Sequence, residues 1–268
     1  MSLIVSDASV PILNCDWRDP ENYRWMTELP RTAWAWEFLR RNPSYRSDYA
    51  GHLVASRASN QPEHEGALAW SLLRFEDPVH DARKANVLWQ MKACREVLPL
   101  AAAPMRVGTA VDTLRLSALQ CRTAVYDYGV EERKEVLLAQ DGRSLQLTVF
   151  GQTPLEEALL LTPALPVAPY NKSRLLAVRR LADVVKHGWL RPSLYKRERQ
   201  SNRLARVVQA LDGSLANAPQ REIAVSLFSR DRVEQDWQHP GNHLRDHVRR
   251  AVAYGRELMT AKYRRFLD

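Results

Sequence analysis

The chain has little of what disulfide-stapled scaffolds and small-molecule enzymes are built from. Of its 268 residues, 3 are cysteine and 10 are glycine. Cys15, Cys94 and Cys121 are odd in number and far apart, so they give neither a disulfide framework nor a cysteine-based zinc spacing. The few glycines form no Walker-type phosphate loop and no dinucleotide-binding pattern, and no Gly-x-Ser-x-Gly elbow occurs. No run reaches the roughly 18 apolar residues of a membrane span. Met1–Leu13 lacks the basic segment and apolar core of a secretory leader. His239, His243 and His247 recur every fourth residue, but Pro240 and Gly241 interrupt any continuous helix and no His-Glu-x-x-His stands there. These absences predict a cytoplasmic chain with reduced thiols, no membrane association, no cofactor, no metal and no enzymatic role.

What the chain does have is hydrophobic residues, at 45%, and positive charge, at +8 net. The first is enough for real cores over one large or several small domains. The second is unevenly placed. Residues 169–268 hold 21 Lys and Arg against 10 Asp and Glu, whereas residues 1–168 hold 18 against 21. A basic end beside a slightly acidic remainder predicts a polyanion-binding module joined to a part with another task.

Residues 1–14 show no periodicity and read as a loose arm. Asp19-Pro20 reads as an N-cap and first helical position, opening a short helix that stops near Pro30. Asn42-Pro43 repeats the signal. Between them, the helix from Thr32 to Arg41 is apolar nearly all round, so Trp34, Trp36 and Phe38 need partners on several sides. They are candidates for self-association, with burial in a core as the other reading. Glu37, Arg40 and Arg41 read as its solvated face. Further helices are expected over 64–75 and 85–96. From Pro104 the apolar spacing shifts towards two. Val136–Gln140 and Arg143–Phe150 flank Asp141-Gly142, a hairpin signal, with further strands expected over 105–111 and 124–128. Residues 151–169, rich in proline, read as a linker or edge segment. Amphipathic helices follow over 171–187 and 202–211, the latter ending at Asp212-Gly213.

The last forty-eight residues carry the functional signal. Ile223, Leu227 and Phe228 share one stripe of a helix opening at Arg221, and a second short helix runs over Val233–Trp237. Asn242 then caps a long helix whose Leu244, Val248, Val252, Gly255, Leu258 and Met259 share a side. Arg245, Arg249 and Arg256 lie opposite, with Arg250 at the border. Guanidinium forks spaced by a helical turn fit guanine edges and phosphates. The predicted DNA-contacting set is Arg221, Arg230, Arg232, Asn242, Arg245, His247, Arg249, Arg250 and Arg256.

The runs Arg221-Glu-Ile-Ala, Leu227-Phe228, Asp236-Trp237 and Leu244-Arg-Asp-His-Val-Arg-Arg250 resemble the C-terminal helix-turn-helix variant of a proteobacterial transcription-regulator family. Asp16-Trp-Arg-Asp-Pro20 and Asn42-Pro-Ser-Tyr-Arg-Ser-Asp-Tyr49 resemble its N-terminal domain. The family includes activators of type VI secretion genes and regulators of integrative conjugative element transfer. The resemblance covers residues 16–49 and 130–268 and implies sequence-specific binding of double-stranded promoter or operator DNA, with an activating role. RNA polymerase or an antagonist protein is the further partner considered. Two DNA half-sites would require two copies, which predicts a homo-oligomer.

The expected fold is α+β, mostly α. It has an aromatic-rich helical N-terminal domain over 1–100, a small antiparallel β region and linker over 101–168, and a basic helix-turn-helix-like DNA-binding domain over 169–268. Two other classes fit the same composition: a nucleic-acid-processing enzyme with a basic substrate clamp, and a regulator-binding partner without its own DNA site.

Overall fold

The structure, a computed structural model, describes residues 15–58, 65–104, 114–127, 133–151, 154–155, 159–163, 172–237 and 243–268. The arm over 1–14, the strand expected over 105–111 and the Pro240-Gly241 break lie outside these residues. Among the described residues no helix is long and apolar enough to cross a membrane.

Both Asx-Pro signals open helices. The Asp19 carboxylate accepts the backbone N–H of Glu21 at 3.0 Å and starts a 3₁₀ helix, Pro20–Glu28. The Asn42 side chain accepts from the Ser44 N–H at 2.8 Å and starts α2, Pro43–Ala58. Between them lies α1, Arg31–Leu39, in which every residue from Thr32 to Leu39 is buried. Trp34, Trp36 and Phe38 are at most 1% exposed. Trp36 donates its indole N–H to the His80 carbonyl at 2.9 Å, and Phe38 stacks on Phe266 with ring centroids 6.0 Å apart. The three aromatics expected as an oligomerisation face are therefore central packing residues of their own chain. A helix apolar on all sides finds its partners on all sides without a second copy.

The charged residues of α1 are inside as well, not on a solvated face. Arg41 donates to both oxygens of Asp212, at 2.7 and 3.1 Å, and to the Glu37 carboxylate at 2.7 Å. Arg40 donates to the same Glu37 oxygen at 2.8 Å. The other Glu37 oxygen accepts the Ala82 N–H at 2.8 Å, and the Tyr23 hydroxyl donates to Asp212 at 2.8 Å. Each charge in this network meets an opposite one at hydrogen-bond distance, which is the condition for tolerating such ions away from water.

Asp212 belongs to α5, Ser201–Leu215, which runs through the Asp-Gly pair expected to stop it. Gly213 is a packing residue: a Cβ there would lie 2.9 Å from Ile223 and 3.0 Å from Trp17. The core that includes Trp17, Trp34 and Phe38 also includes Leu204, Leu211, Ile223, Val248 and Leu258, so the two ends of the sequence share one interior.

The middle forms a five-stranded sheet in the order β2-β3-β4-β1-β5, with β1 at Leu98–Pro104, β2 at Arg122–Asp127, β3 at Arg133–Gln140, β4 at Arg143–Phe150 and β5 at Leu159–Pro163. The hairpin is in place: Gln140 pairs with Arg143 across Asp141 and Gly142, whose φ values are 50° and 78°. Positive φ at both central residues is the twist-matched two-residue turn. The sheet is mixed rather than wholly antiparallel, because β1 joins β4 in parallel. One face, with Val136, Leu138 and Leu147, packs on Ala177, Leu181 and Val184 of α4, Lys172–His187.

The two helices expected over 64–75 and 85–96 reduce to α3, Glu65–Leu68, followed by turns and a bridge between Leu72 and Trp89. Tertiary bonding overrides the local pattern here. Gln146 on β4 accepts the Trp89 N–H and donates to the Trp89 carbonyl, both at 2.9 Å, which fixes that backbone as a partner of the sheet.

Replacing Asp212 by alanine leaves Arg41 buried with half of its partners gone. We expect a loss of about 3–5 kcal/mol in urea unfolding; a loss under about 1 kcal/mol would make the network dispensable. Glu37 gives a pH dependence. Burial alone would raise its carboxyl pKa, but Arg40 and Arg41 beside it bring the net below the ordinary value. Its folded pKa is depressed, so its stabilisation is present above the unfolded-chain pKa and is lost as pH falls through the folded value. Glu37→Gln should flatten the acid side of the stability curve. Curves with the same acid slope in both proteins would contradict the assignment.

Candidate nucleic-acid interface

Three helices follow α5: α6 at Gln220–Phe228, α7 at Arg230–Asp236 and α8 at His243–Thr260. One residue, Ser229 at φ 116°, separates α6 from α7. Ile223 and Ala224, Val233, and Leu244, Val248 and Leu258 bury the inward faces of the three helices in turn. This is a helix-turn-helix-like assembly, with α8 as its longest and most basic member. Gly255 lets α8 cross α5 closely, since a Cβ there would sit 3.1 Å from Leu211 and 3.3 Å from Val207.

That crossing fixes what α8 exposes. At about 100° per residue, Ala253 lies nearly opposite Gly255 and stands on the crest of the exposed arc. Arg245, Arg249 and Arg256 form one edge, all exposed. His243, His247, Arg250 and Tyr254 form the other. The predicted arginine face is thus two edges separated by a crest on which Ala253 stands between Asp246 and Glu257, carboxylates paired with Arg249 at 3.0 Å and Lys262 at 2.6 Å. Arg249, with its side chain 71% exposed, is held by Asp246 at 3.0 Å, a solvent-screened pair that a phosphate or base can displace. Arg256 donates to the Ser214 hydroxyl at 3.1 Å, and the Arg245 guanidinium lies 5.4 Å from the Trp237 ring centroid.

The second edge looks into an open groove of about 1750 Å³. His247 and Arg250 of α8 line it, with Arg203 and Arg206 of α5, Arg221 of α6 and Arg230 just after the turn. Arg18 and Arg24, from the N-terminal segment, complete its basic lining. His247 meets the Phe228 ring edge-on at a centroid distance of 5.1 Å, and Arg232 lies 5.4 Å over the same ring. Partial burial first, and then Arg250, Arg206, Arg203 and Arg232, hold the His247 imidazole below its ordinary pKa, so it is neutral at pH 7. Among the described residues, Arg206, Arg221, Arg230 and Arg250 have no carboxylate at ion-pair distance, whereas Arg232 has Asp236 at 3.8 Å. An array of unneutralised guanidinium groups is a site for polyanion oxygen atoms.

Of the residues predicted from sequence, Arg221, Arg230, His247 and Arg250 therefore gather at the groove, and Arg245, Arg249 and Arg256 on the far edge of α8. Arg232 stands on α7 with its guanidinium over the Phe228 ring. Asn242 lies outside the described residues. The sequence reading missed four arginines of the groove. Arg203 and Arg206 were legible, since they alternate with the buried Leu204, Val207 and Val208 on an amphipathic helix. Arg18 and Arg24 were not, because nothing local records that a segment nearly 200 residues away folds against α5.

Three successive helices beside a groove lined by arginine make an arrangement that can hold a polyanion. Comparison with known families agrees. Residues 164–268 match the family described as "T6SS, Transcription factor, DNA binding domain", and residues 16–76 match the "Proteobacterial transcriptional regulator-like domain". The two matches together support a DNA-binding transcription regulator. No curated protein matches the chain.

A phosphate beside His247 would favour the charged imidazole and raise its depressed pKa, so the proton should be taken up on binding and affinity should grow as pH falls. Histidine NMR titration with and without duplex DNA measures this. The His247 resonance is expected to titrate at higher pH in the complex, and identical titrations would remove His247 from the interface.

Proposed function

We propose that this chain is a sequence-specific transcription regulator that lays α8 in the major groove of promoter DNA. The observation that supports the reading is the section of α8: arginine on both edges of a crest where Ala253 stands between Asp246 and Glu257, each of which is paired with a cation. A helix of that shape fits a groove about 12 Å wide, its crest against base edges and its flanks towards the two strands. Arg245, Arg249 and Arg256 would face one strand and Arg250 the other, with Arg221, Arg230 and Arg232 as supporting contacts. Ala253 suits apolar contact with a thymine methyl, and an arginine fork suits guanine.

An activating role follows from the resemblance to activators, and contact with RNA polymerase or an antagonist protein is the regulation it suggests. The family wording supports type VI secretion genes as targets; integrative conjugative element transfer is the alternative. The division into 1–100, 101–168 and 169–268 is kept as a functional one, with the last part as reader. In packing, however, α4 seats on the sheet and α5 to α8 share a core with residues of the first part. The homo-oligomer we propose is a pair on two half-sites. With Trp34, Trp36 and Phe38 buried, it would use another surface.

Titration against labelled DNA from upstream of the chain's own and neighbouring genes, with random-sequence competitor, tests the reading. Selective binding is expected. Arg249→Ala should weaken it by about 1–3 kcal/mol if the residue reads a base, or flatten the salt slope by about one if it neutralises a phosphate. Binding that is equally weak on every sequence would reject the reading. Light scattering of the saturated complex should give two chains per two-half-site duplex; one chain would reject the pair.

A further inference from the structure

We propose that the groove between α8, α5 and the 3₁₀ helix Pro20–Glu28 seats one sugar-phosphate backbone of the bound duplex. On this proposal the N-terminal part of the chain is itself part of the DNA-binding surface. The proposal rests on α8 lying in the major groove and names what the neighbouring ridge of the duplex meets.

A helix set in a groove of B-form DNA has a phosphate ridge on either side, so a protein surface complementary to it needs a channel next to the protruding helix. Such a channel lies along one side of α8, where His247 and Arg250 make one wall. Arg203 and Arg206 stand on α5, and Arg18 and Arg24 close the far side. At about 1750 Å³ and open to solvent, the groove exceeds the roughly 300–1,000 Å³ of small-molecule pockets and suits a length of polymer. Its charge is of one sign where partners are concerned. The two carboxylates that also line it, Glu21 and Glu222, are taken by Arg24 at 3.3 Å and Arg18 at 3.1 Å. All four of those side chains are at least half exposed, so these are screened pairs that phosphate oxygens can open.

The N-terminal wall is held in place rather than trailing near the groove. Arg18 stacks 4.4 Å over Trp17, whose carbonyl accepts from Gln209 of α5 at 3.1 Å. Tyr23, between Arg18 and Arg24, donates to Asp212 of the same helix at 2.8 Å. Contacts from this wall would be to phosphate and would carry register and affinity, not sequence preference.

The test is the salt dependence of binding of the full chain to a random-sequence duplex. Arg24→Ala/Arg206→Ala should lower the slope of log affinity against log salt by about two, because each lost arginine releases one fewer counterion. The weakening should be uniform across sequences. Arg24→Lys/Arg206→Lys should keep the wild-type slope, since lysine neutralises phosphate equally. Both positions are on the surface and the melting temperature should not move, so the lysine pair also separates a folding defect from a lost contact. A slope unchanged by the alanine pair overturns the proposal, as it would if the groove held an acidic peptide instead. A slope lost equally in the lysine pair overturns it too. Wild-type binding that shows no preference for any sequence under competition would reject the reading of α8, and is distinguished from both outcomes because the slope is measured on random DNA.

Discussion

Arg41 is fully buried and charged, and the arrangement of the whole molecule follows from how that charge is answered. Taking a guanidinium out of water is tolerable only when its donors all find acceptors and its charge finds an opposite one. Glu37 supplies this from one turn earlier in α1, but Asp212 supplies it from α5, across 171 positions of sequence. The bidentate pair fixes the rotation of α1 against α5. Gly213, next to Asp212, then brings α6 and Trp17 onto α5, and Gly255 brings α8 onto its other side. The face that α8 shows to solvent is thus set by its crossing with α5, the helix that the ion pair ties to the N-terminal part. The end of the chain is clasped as well: Asn42 donates to the Met259 carbonyl at 3.1 Å, and Tyr263 donates to the Trp70 carbonyl at 3.0 Å. The basic helix is presented by the N-terminal part as much as by its own neighbours.

This explains why some features could be read from sequence and others could not. Features that depend on residues close in the chain were legible: the Asp19-Pro20 and Asn42-Pro43 openings, the Asp141-Gly142 hairpin, and α8 with its buried and basic sides. What depends on distant pairing was not. Nothing near Glu37, Arg40 or Arg41 distinguishes a buried network from a wet face, because the deciding partner is Asp212. Trp89 looks helical until Gln146 claims both of its backbone groups. The parallel joining of β1 to β4, and the arrival of Arg18 and Arg24 at the groove, are tertiary facts of the same kind. Gly213 misleads in the instructive way: read locally it ends a helix, and read in the fold it admits Ile223 and Trp17.

The electrostatics are consistent with the same division. The surplus of Lys and Arg in the last hundred residues was visible as composition, but composition cannot separate arginines that hold the structure from arginines that face solvent. Arg180, 3% exposed and bonded to Glu96 at 2.7 Å, belongs to the first kind, and Arg206 and Arg250 to the second. Only the second kind contributes to an interface whose affinity falls with salt. The sheet and α4 have a core of their own.

The central claim is that α8 enters the major groove of duplex DNA. Methylation protection measures this most directly, because dimethyl sulfate attacks guanine N7, an atom on the major-groove floor. The account predicts that the bound protein shields a short block of guanines at each half-site from N7 methylation, and that the shielding weakens in Arg249→Ala. Tight, selective binding with every guanine N7 still open to attack would contradict it.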